Sequence, residues 1–395
     1  MPSAEPRAAG AASLATATID VACVGLPPQR GARQRLAEHG VRWLAAPAAT
    51  AATPHLVVAT APPGDAAAAA ARMAQRLGRP FVLDLEGAWA LDGSTCYPTP
   101  WHLRQQRRAM RRALAAADLV LVRTPTMATA CVELGATAAK VVTVPDGCDT
   151  AAELPPAPGD TFTLLVAAEM APAVDPPCPT SDGLLRRRAR QIEPVGATGF
   201  YLFSALAALR QKVPDVFARL RVHFAHPLDR TNLDIVDWLA LEAVVTPQGG
   251  VGPTPRARAA DAVFVCQHGE DGDAVALDVP DALWPALATG RPVLAALPPG
   301  PGRDLVLQLG AGPKLPATDA PPLCLAIERL VARKTAGESL QGVAADVRAR
   351  LDERRIAAAV TALLRAVADR APLPAGAQAL WPVGWPVGAT GTTGS

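Results

Sequence analysis

Short, continuously apolar segments that alternate with helical segments are the feature that most constrains what this chain can fold into. In the first half such segments lie at residues 19–24, 55–59, 81–85 and 118–122, and helical patterns separate them. Strands that are apolar on both faces are typical of parallel sheets covered by helices on each side. The alternation therefore predicts an α/β fold built from doubly wound parallel sheets with right-handed crossovers.

The length and the break in this pattern predict two domains. A chain of 395 residues is long enough for two ordinary domains. We assign residues 1–150 to a first domain, 151–160, with three prolines, to a linker, and 161–370 to a second domain whose last helix returns along the chain. Residues 371–395 are rich in Pro, Gly and Thr, and we predict that they are disordered. Two such sheets place a ligand cleft between them, at the carboxyl ends of their strands.

The composition excludes several classes of protein. Half of the residues are hydrophobic and 19% are charged, which excludes a disordered chain. The net charge of +2 gives no overall field for nucleic acid, so we expect no nucleic-acid partner. No GxGxxG motif follows a strand, which argues against a dinucleotide-dependent dehydrogenase.

The cysteines and the amino terminus indicate a cytoplasmic protein. Seven cysteines are scattered without a CxxC pair, so neither a disulfide framework nor a zinc site is expected and a reducing compartment fits. Residues 1–17 lack the charged start and apolar core of a secretion signal. No stretch of 18 residues is apolar enough to span a bilayer. We expect a cytoplasmic location and no bound metal.

Four segments, in this order along the chain, carry a family resemblance. Residues 54–63 and 78–85 read PHLVVATAPP and GRPFVLDL, residues 140–149 read KVVTVPDGCD, and residues 279–294 read VPDALWPALATGRPVL. Together they resemble family 4 glycosyltransferases over roughly residues 50–335. The resemblance implies the GT-B architecture, in which two Rossmann-like domains face a central cleft.

The same resemblance implies a reaction. The first domain would bind the acceptor, which is a glycan, a lipid-linked sugar or a small molecule, and the second would bind a nucleotide-sugar. The sugar would be transferred with retention and without a metal ion. The nucleotide-sugar is a co-substrate, so no separate cofactor is expected.

Several positions depart from the family pattern. The glutamate that binds the ribose is replaced by Pro285, the motif's lysine by Ala282, and the acidic residue eight positions earlier by Leu277. No cation follows the strand at 162–166 to neutralise a diphosphate, and the next basic residues form the run 186–190. An alternative therefore stays open, namely a catalytically degenerate subunit that assists an active partner glycosyltransferase.

Candidate site residues follow from these positions. Asp84 and Glu270 are the candidate catalytic carboxylates. The donor-side candidates are His268, Glu270, Asp281, Thr289, Gly290 and Arg291. Each has an ordinary structural alternative, since Asp84 can cap a turn, 268–270 can be a solvated loop, and 289–291 can end a helix.

A basic helix at residues 104–112 leaves two interpretations open. It carries five arginines and no acidic residue. It could contact anionic lipid at the inner face of the membrane, as in family members whose acceptor is lipid-linked. It could equally be a solvated helix face.

Overall fold

The computed structural model describes most of the chain. The described residues are 18–25, 31–45, 53–62, 64–92, 95–150, 159–170, 187–188, 192–193, 195–247, 260–267, 269–270, 275–377 and 380–382. Most of the expected linker, residues 151–158, therefore lies outside them.

The first domain is built on a six-stranded parallel sheet. Its strands are β1 (Ile19–Val24), β2 (Val41–Ala45), β3 (Leu56–Ala61), β4 (Phe81–Leu85), β6 (Leu119–Val122) and β7 (Val141–Thr143), with the short β5 (Cys96–Tyr97) outside the sheet. The strand order is β2-β1-β3-β4-β6-β7, and all pairs are parallel. The order reverses direction between β1 and β3, as in a doubly wound sheet.

The longer helices of this domain are a 3-10 helix (Gly31–His39), α1 (Gly64–Leu77), α2 (Pro100–Ala116) and α3 (Pro125–Glu133). Local capping explains where α2 and α3 begin. Thr99 precedes α2 and its hydroxyl accepts the amide of His102, and Thr124 accepts the amide of Met127 in the same way before α3. In both helices a proline fills the first position, where a backbone N–H has no helical partner.

The second domain has a five-stranded parallel sheet. Its strands are β8 (Phe162–Val166), β11 (Leu220–Phe224), β12 (Val245–Thr246), β13 (Ala262–Cys266) and β15 (Val293–Ala296). The order β12-β11-β8-β13-β15 places the topological switch between β8 and β13. The predicted pair of doubly wound, Rossmann-like domains is thus confirmed.

Two short antiparallel pairs extend from these sheets. β10 (Ile192–Glu193) pairs with β14 (Gly269–Glu270) within the second domain. β9 (Arg187–Arg188) pairs with β5 of the first domain, with Cys96 opposite Arg188. Residues 187–188 therefore lie against the first domain.

The helices of the second part of the chain are mostly short. They are α4 (Phe200–Lys212), α5 (Pro214–Ala218), α6 (Arg230–Trp238), α7 (Leu283–Ala288), α8 (Pro301–Gln308), α9 (Ala320–Thr335), α10 (Ala345–Arg348) and α11 (Glu353–Ala368). A 3-10 turn (Val195–Ala197) precedes α4. The last helical region of the second domain is divided into α10 and α11, because a 3-10 turn (Ala349–Leu351) and the N-cap Asp352 intervene. The Asp352 carboxylate accepts the amides of Arg354 and Arg355, which starts a new helix.

Helix α11 packs on the first domain although it ends the chain's second half. Its residues Ile356, Val360, Leu363 and Leu364 share one buried core with first-domain strand residues such as Leu56. The two chain crossings between the domains run side by side, with Cys148 N to Leu351 O at 2.8 Å and Glu353 N to Cys148 O at 3.1 Å. Both domains are thus joined at two adjacent backbone segments.

Two expectations about the ends and the cysteines need correction. Within the tail expected to be disordered, residues 371–377 and 380–382 are placed, and Trp381 packs edge-on against Trp284 with ring centroids 6.1 Å apart. Burial of a large indole explains why this part is ordered. Cys96 is disulfide-bonded. The scattered spacing of the cysteines in the sequence does not reveal such a bond.

Candidate functional site

A chain of charged side chains runs from the first sheet to the second domain. Arg33 Nε lies 2.9 Å from Asp84 Oδ2, and Arg33 Nη1 lies 3.0 Å from Asp146 Oδ1. The other oxygen of Asp146 pairs with Arg123, whose Nη2 also lies 2.7 Å from Asp281 Oδ1. Asp84, Arg123 and Asp146 stand at or just after the carboxyl ends of β4, β6 and β7. This row of charged side chains therefore follows the carboxyl ends of the strands, on the side of the sheet that faces the second domain.

Burial makes the first pairs of this chain structural. Arg33 is 1% exposed and Asp84 2% exposed. Burial disfavours the charge of Arg33, but Asp84 and Asp146 more than offset it and hold the pKa of the guanidinium above its usual value. Burial raises the pKa of Asp84 despite Arg33 beside it. Breaking such a pair leaves an uncompensated buried charge, which costs about 3–5 kcal/mol.

Asp84 is a buried partner of Arg33, whereas its position at the end of a strand had suggested a catalytic place at the cleft. Both of its carboxylate oxygens accept Arg33 Nε, at 3.0 and 2.9 Å. It is separated from the second domain by Arg33, Asp146 and Arg123. Asp84 thus anchors the inner end of the chain, and its oxygens do not reach the cleft.

Residues 275–281 carry the second domain across to the first. The hydroxyl of Thr124 donates to the carbonyl of Leu277, and Leu277 packs against the core of the first domain. On its other side this segment is fixed to the turn after β15, since Ala276 N lies 2.7 Å from Pro299 O. Arg123 also donates to the carbonyl of Glu86, at 3.1 Å. Arg123 and Thr124 contact residues 275–281 across the boundary between the domains, and we call these two groups of residues together the interdomain seam.

Asp278 is the unsatisfied group of the interdomain seam. Its Oδ1 is buried and has no hydrogen-bond partner within the described part of the chain. Burial raises the pKa of this carboxyl from 3.8 to about 6, Arg123 lowers it, and the carboxylates of Asp92, Asp146 and Asp281 raise it further. A buried carboxyl with a spare oxygen can accept a hydroxyl group of a ligand.

Three of the donor-side candidates lie away from the cleft. Thr289, Gly290 and Arg291 follow α7 and precede β15, so they stand at the amino end of the second sheet. Thr289 Oγ1 donates to Ala286 O at 2.6 Å and accepts the Arg291 amide at 3.1 Å. Gly290 has φ +66°, the left-handed conformation that favours glycine after a helix. Their structural alternative, a helix end, is what is observed.

The three remaining donor-side candidates occupy different positions. His268 lies outside the described residues. Glu270 lies in β14 opposite Ile192. Asp281 is the candidate that the structure places in the charged chain, through Arg123. Of the replaced family positions, Pro285 is exposed on α7.

Sequence reasoning missed Arg33, Arg123 and Asp278. Arg123 had a usable signal, because it directly follows a buried strand, where parallel sheets present functional side chains. Asp278 adjoins Leu277, the position where an acidic residue was sought. Arg33 lies in the helical segment 31–39 and carried no signal, since its burial depends on Asp84 and Asp146.

The described residues give no indication of a metal or a membrane span. Within the ranges that the structure places, no three His, Cys, Asp or Glu side chains lie close enough to hold a metal ion. No helix in the placed part of the chain combines the length and apolarity needed to cross a bilayer.

The fold and part of the sequence match known proteins. Residues 3–147 match the family model described as "Glycosyl transferase 4-like domain". No curated protein matches the chain in sequence.

Solved structures show the same architecture. Anabaena Alr3699/HepE in complex with UDP is 16% identical, with a TM-score of 0.52 and 89% of this chain and 98% of that chain covered. Sucrose-phosphate synthase from Thermosynechococcus elongatus is 14% identical, with a TM-score of 0.56 and 89% and 97% covered. A structure assigned as a UDP-N-acetylglucosamine 2-epimerase from Listeria monocytogenes is 12% identical, with a TM-score of 0.53 and 91% and 99% covered. At these identities the likeness establishes the GT-B fold.

Proposed function

We propose that this chain, a family 4 glycosyltransferase-like protein with the GT-B fold, binds a nucleotide-sugar between its domains and transfers the sugar to an acceptor. The observation that carries the proposal is Arg123, whose guanidinium lies between Asp146 of the first domain and Asp281 of the second. The family resemblance adds retention of configuration and a glycan, lipid-linked or small-molecule acceptor. We also propose a cytoplasmic location.

In this proposal Arg123 is the cation that neutralises the diphosphate, in place of the family's cations after the strand at 162–166, which this sequence lacks. Its side chain is 9% exposed, and its partner Asp281 is 55% exposed. Exposed carboxylates hold their ion pairs weakly, whereas a diphosphate offers a guanidinium two strong acceptors. In this proposal the diphosphate displaces Asp281 from Arg123, and the guanidinium stabilises the negative charge that develops on the leaving group.

We assign to Asp278 the binding of a donor hydroxyl, because Pro285, at the position of the family glutamate, has no side-chain acceptor. The buried Oδ1 of Asp278 has no hydrogen-bond partner among the described residues. In this proposal the oxygen accepts a sugar or ribose hydroxyl of the donor. A hydrogen bond to a charged acceptor contributes about 1.5–3 kcal/mol, so loss of Asp278 weakens donor binding roughly tenfold or more.

Calorimetric titration with UDP, UDP-glucose and GDP tests the proposal. Micromolar binding of one nucleotide is expected. Arg123→Lys keeps the charge but loses the forked geometry, so it weakens binding at least about tenfold. Asp281→Asn removes the carboxylate that competes with the diphosphate for Arg123, so it strengthens nucleotide binding. Arg354→Ala, exposed on α11, is the matched control and leaves affinity unchanged.

The outcomes separate transfer from its alternatives. A nucleotide affinity that is the same in Arg123→Lys, in Asp281→Asn and in the unmodified protein would contradict the role of Arg123. Conversion of UDP-N-acetylglucosamine to an epimer without release of UDP would replace transfer by epimerisation, which the shared fold permits.

A second candidate is the degenerate subunit, and the interdomain seam favours it. Leu277 replaces an acidic residue, packs into the first domain and accepts the Thr124 hydroxyl through its carbonyl. These contacts hold residues 275–281 against the first domain without any ligand. Absence of binding to every nucleotide at millimolar concentration, followed by co-purification with a partner glycosyltransferase, is the result expected of this candidate.

Helix α2 is proposed as a peripheral membrane contact. Its exposed face carries Arg104, Arg108, Arg111 and Arg112, with Trp101 57% exposed at its start. The opposite face is buried in the first-domain core through residues such as Met110. Arginines with an interfacial tryptophan suit anionic lipid head groups.

A further inference from the structure

A cavity of about 400 Å³ lies at the amino end of the second sheet, on the side opposite the interdomain seam. It is an open pocket lined by the turn after α7 and by the segment that leads into α10. Its lining includes Gly290, Arg291, Gln341 and Arg348, and it contains two arginines and no carboxylate. A volume of this size accommodates a small organic molecule.

Arg348 presents an unused donor in the wall of this cavity. Its Nη1 donates to Ala288 O at 3.3 Å, and its guanidinium lies over Gly290, where an added Cβ would be 2.5 Å from Nη1. Its Nε is buried and makes no hydrogen bond to any described group. A buried donor without an acceptor is unfavourable, and a rotation of the Arg348 side chain towards an occupant that offers an oxygen would satisfy it.

Arg291 is the second arginine of the lining. Its residue is 7% exposed, and burial lowers its pKa more than the attraction of Asp261 restores it. Asp261 is shared, because its oxygens lie 2.8 Å from Lys334 Nζ and one accepts the amide of Thr163. Glu338, next to the cavity, pairs with Arg333. The lining residues thus carry two positive side chains and no negative one, and the nearest carboxylates along the chain are Glu338 and Asp346.

We propose that this cavity is an anion site for a phosphate monoester, held by Arg291 and Arg348. Paired guanidiniums bind phosphate oxygens in forked hydrogen bonds. The volume exceeds that of phosphate alone, so a phosphorylated small molecule such as a hexose phosphate fits. The site is separate from the cleft, because residues 289–291 lie at the opposite end of α7 from Asp281.

Thermal unfolding of the whole protein with inorganic phosphate or glucose 6-phosphate, each against chloride at equal ionic strength, tests this site. Phosphate is expected to raise Tm by roughly 2–4 °C beyond chloride at saturating concentrations. A larger rise with glucose 6-phosphate at equal concentration would identify the organic monoester as the ligand, and equal rises would identify free phosphate. Equal shifts with phosphate, the ester and chloride would overturn the proposal.

Two variants and a control locate the effect. Arg348→Ala is expected to weaken phosphate binding about tenfold or more. Should that variant fail to fold, Gln341→Glu places a carboxylate in the lining without removing an arginine, and it is expected to abolish binding. Arg354→Ala, exposed and outside the cavity, is expected to bind as the unmodified protein does. Binding lost in Arg123→Lys but kept in Gln341→Glu would place the phosphate in the cleft and contradict this site.

Discussion

At the scale of single residues, the arginines decide how the charged groups are used. Arg33 has two carboxylate partners and so fixes the orientation of both Asp84 and Asp146. Asp146 in turn orients Arg123, the group that reaches the second domain. Asp84 was predicted as a catalytic carboxylate from its position at the end of a strand. In the structure it is linked to the second domain only through Arg33, Asp146 and Arg123.

Asp278 gives a prediction about pH. Its folded pKa of about 6 lies above the ordinary 3.8, so the folded protein binds the proton more tightly. The stability from this proton is complete below about pH 4 and is lost as the pH rises through about 6. Asp278→Asn is therefore expected to stabilise the protein by about 1–3 kcal/mol at about pH 8 and by little at about pH 4.

Denaturant unfolding at several pH values measures this difference. Asp346→Asn, exposed on α10, controls for the loss of one negative charge. A difference between Asp278→Asn and the unmodified protein that stays constant across the pH range would show that the carboxyl does not titrate there.

At the scale of elements, the two basic runs of the sequence approach one another. β9, at residues 187–188, pairs with β5, and both contact α2. The arginines of 104–112 and the backbone of Arg187 and Arg188 therefore belong to the same region of the first domain. The two runs lie far apart in the sequence, so neither alone predicts this.

Helix α2 gives a prediction about lipid. The variant Arg104→Glu with Arg108→Glu is expected to weaken binding to vesicles containing anionic lipid about tenfold or more, because each arginine near the surface contributes about 1 kcal/mol. Co-sedimentation with anionic and with zwitterionic vesicles measures it. Arg350→Glu with Arg354→Glu removes two exposed arginines elsewhere and is the control. Equal binding of both double variants would leave α2 as a solvated helix face.

At the scale of the whole molecule, the first domain is completed by the end of the chain. Leu363 and Leu364 are 1% exposed and share a core with strands of the first sheet. Gly147 lies at this junction with φ +74°, and an added Cβ would lie 2.7 Å from Ile356 Cδ1. The fold of residues 1–150 therefore depends on residues more than two hundred positions later.

A core substitution tests this dependence. Leu363→Ala is expected to cost about 2–5 kcal/mol and to increase hydrogen exchange in β1, β3 and β6 of the first domain. Ile327→Ala on α9 is the matched control, because Ile327 is buried in the core of the second domain. Faster exchange confined to the second domain in Leu363→Ala would contradict the packing of α11.

The sequence by itself determined the class of fold and the positions of the main sheet strands. Apolar strands and the caps at Thr99 and Thr124 are set by neighbours a few residues away, so a local pattern predicts them. The motif at 140–149 also indicated the family. The start of α11 at Asp352 is set by a local cap in the same way. The disulfide at Cys96 and the order at Trp381 depend on partners that no local pattern specifies.

Only the tertiary structure decided the candidate site. The contacts that define it join residues 51, 113 and 158 positions apart, in Arg33–Asp84, Arg33–Asp146 and Arg123–Asp281. The order of strands in the sheet brings these groups to one edge, and the position of the second domain supplies Asp281. The sequence lists the charges, but which carboxylate each arginine binds depends on distances that exist only after the sheets have formed.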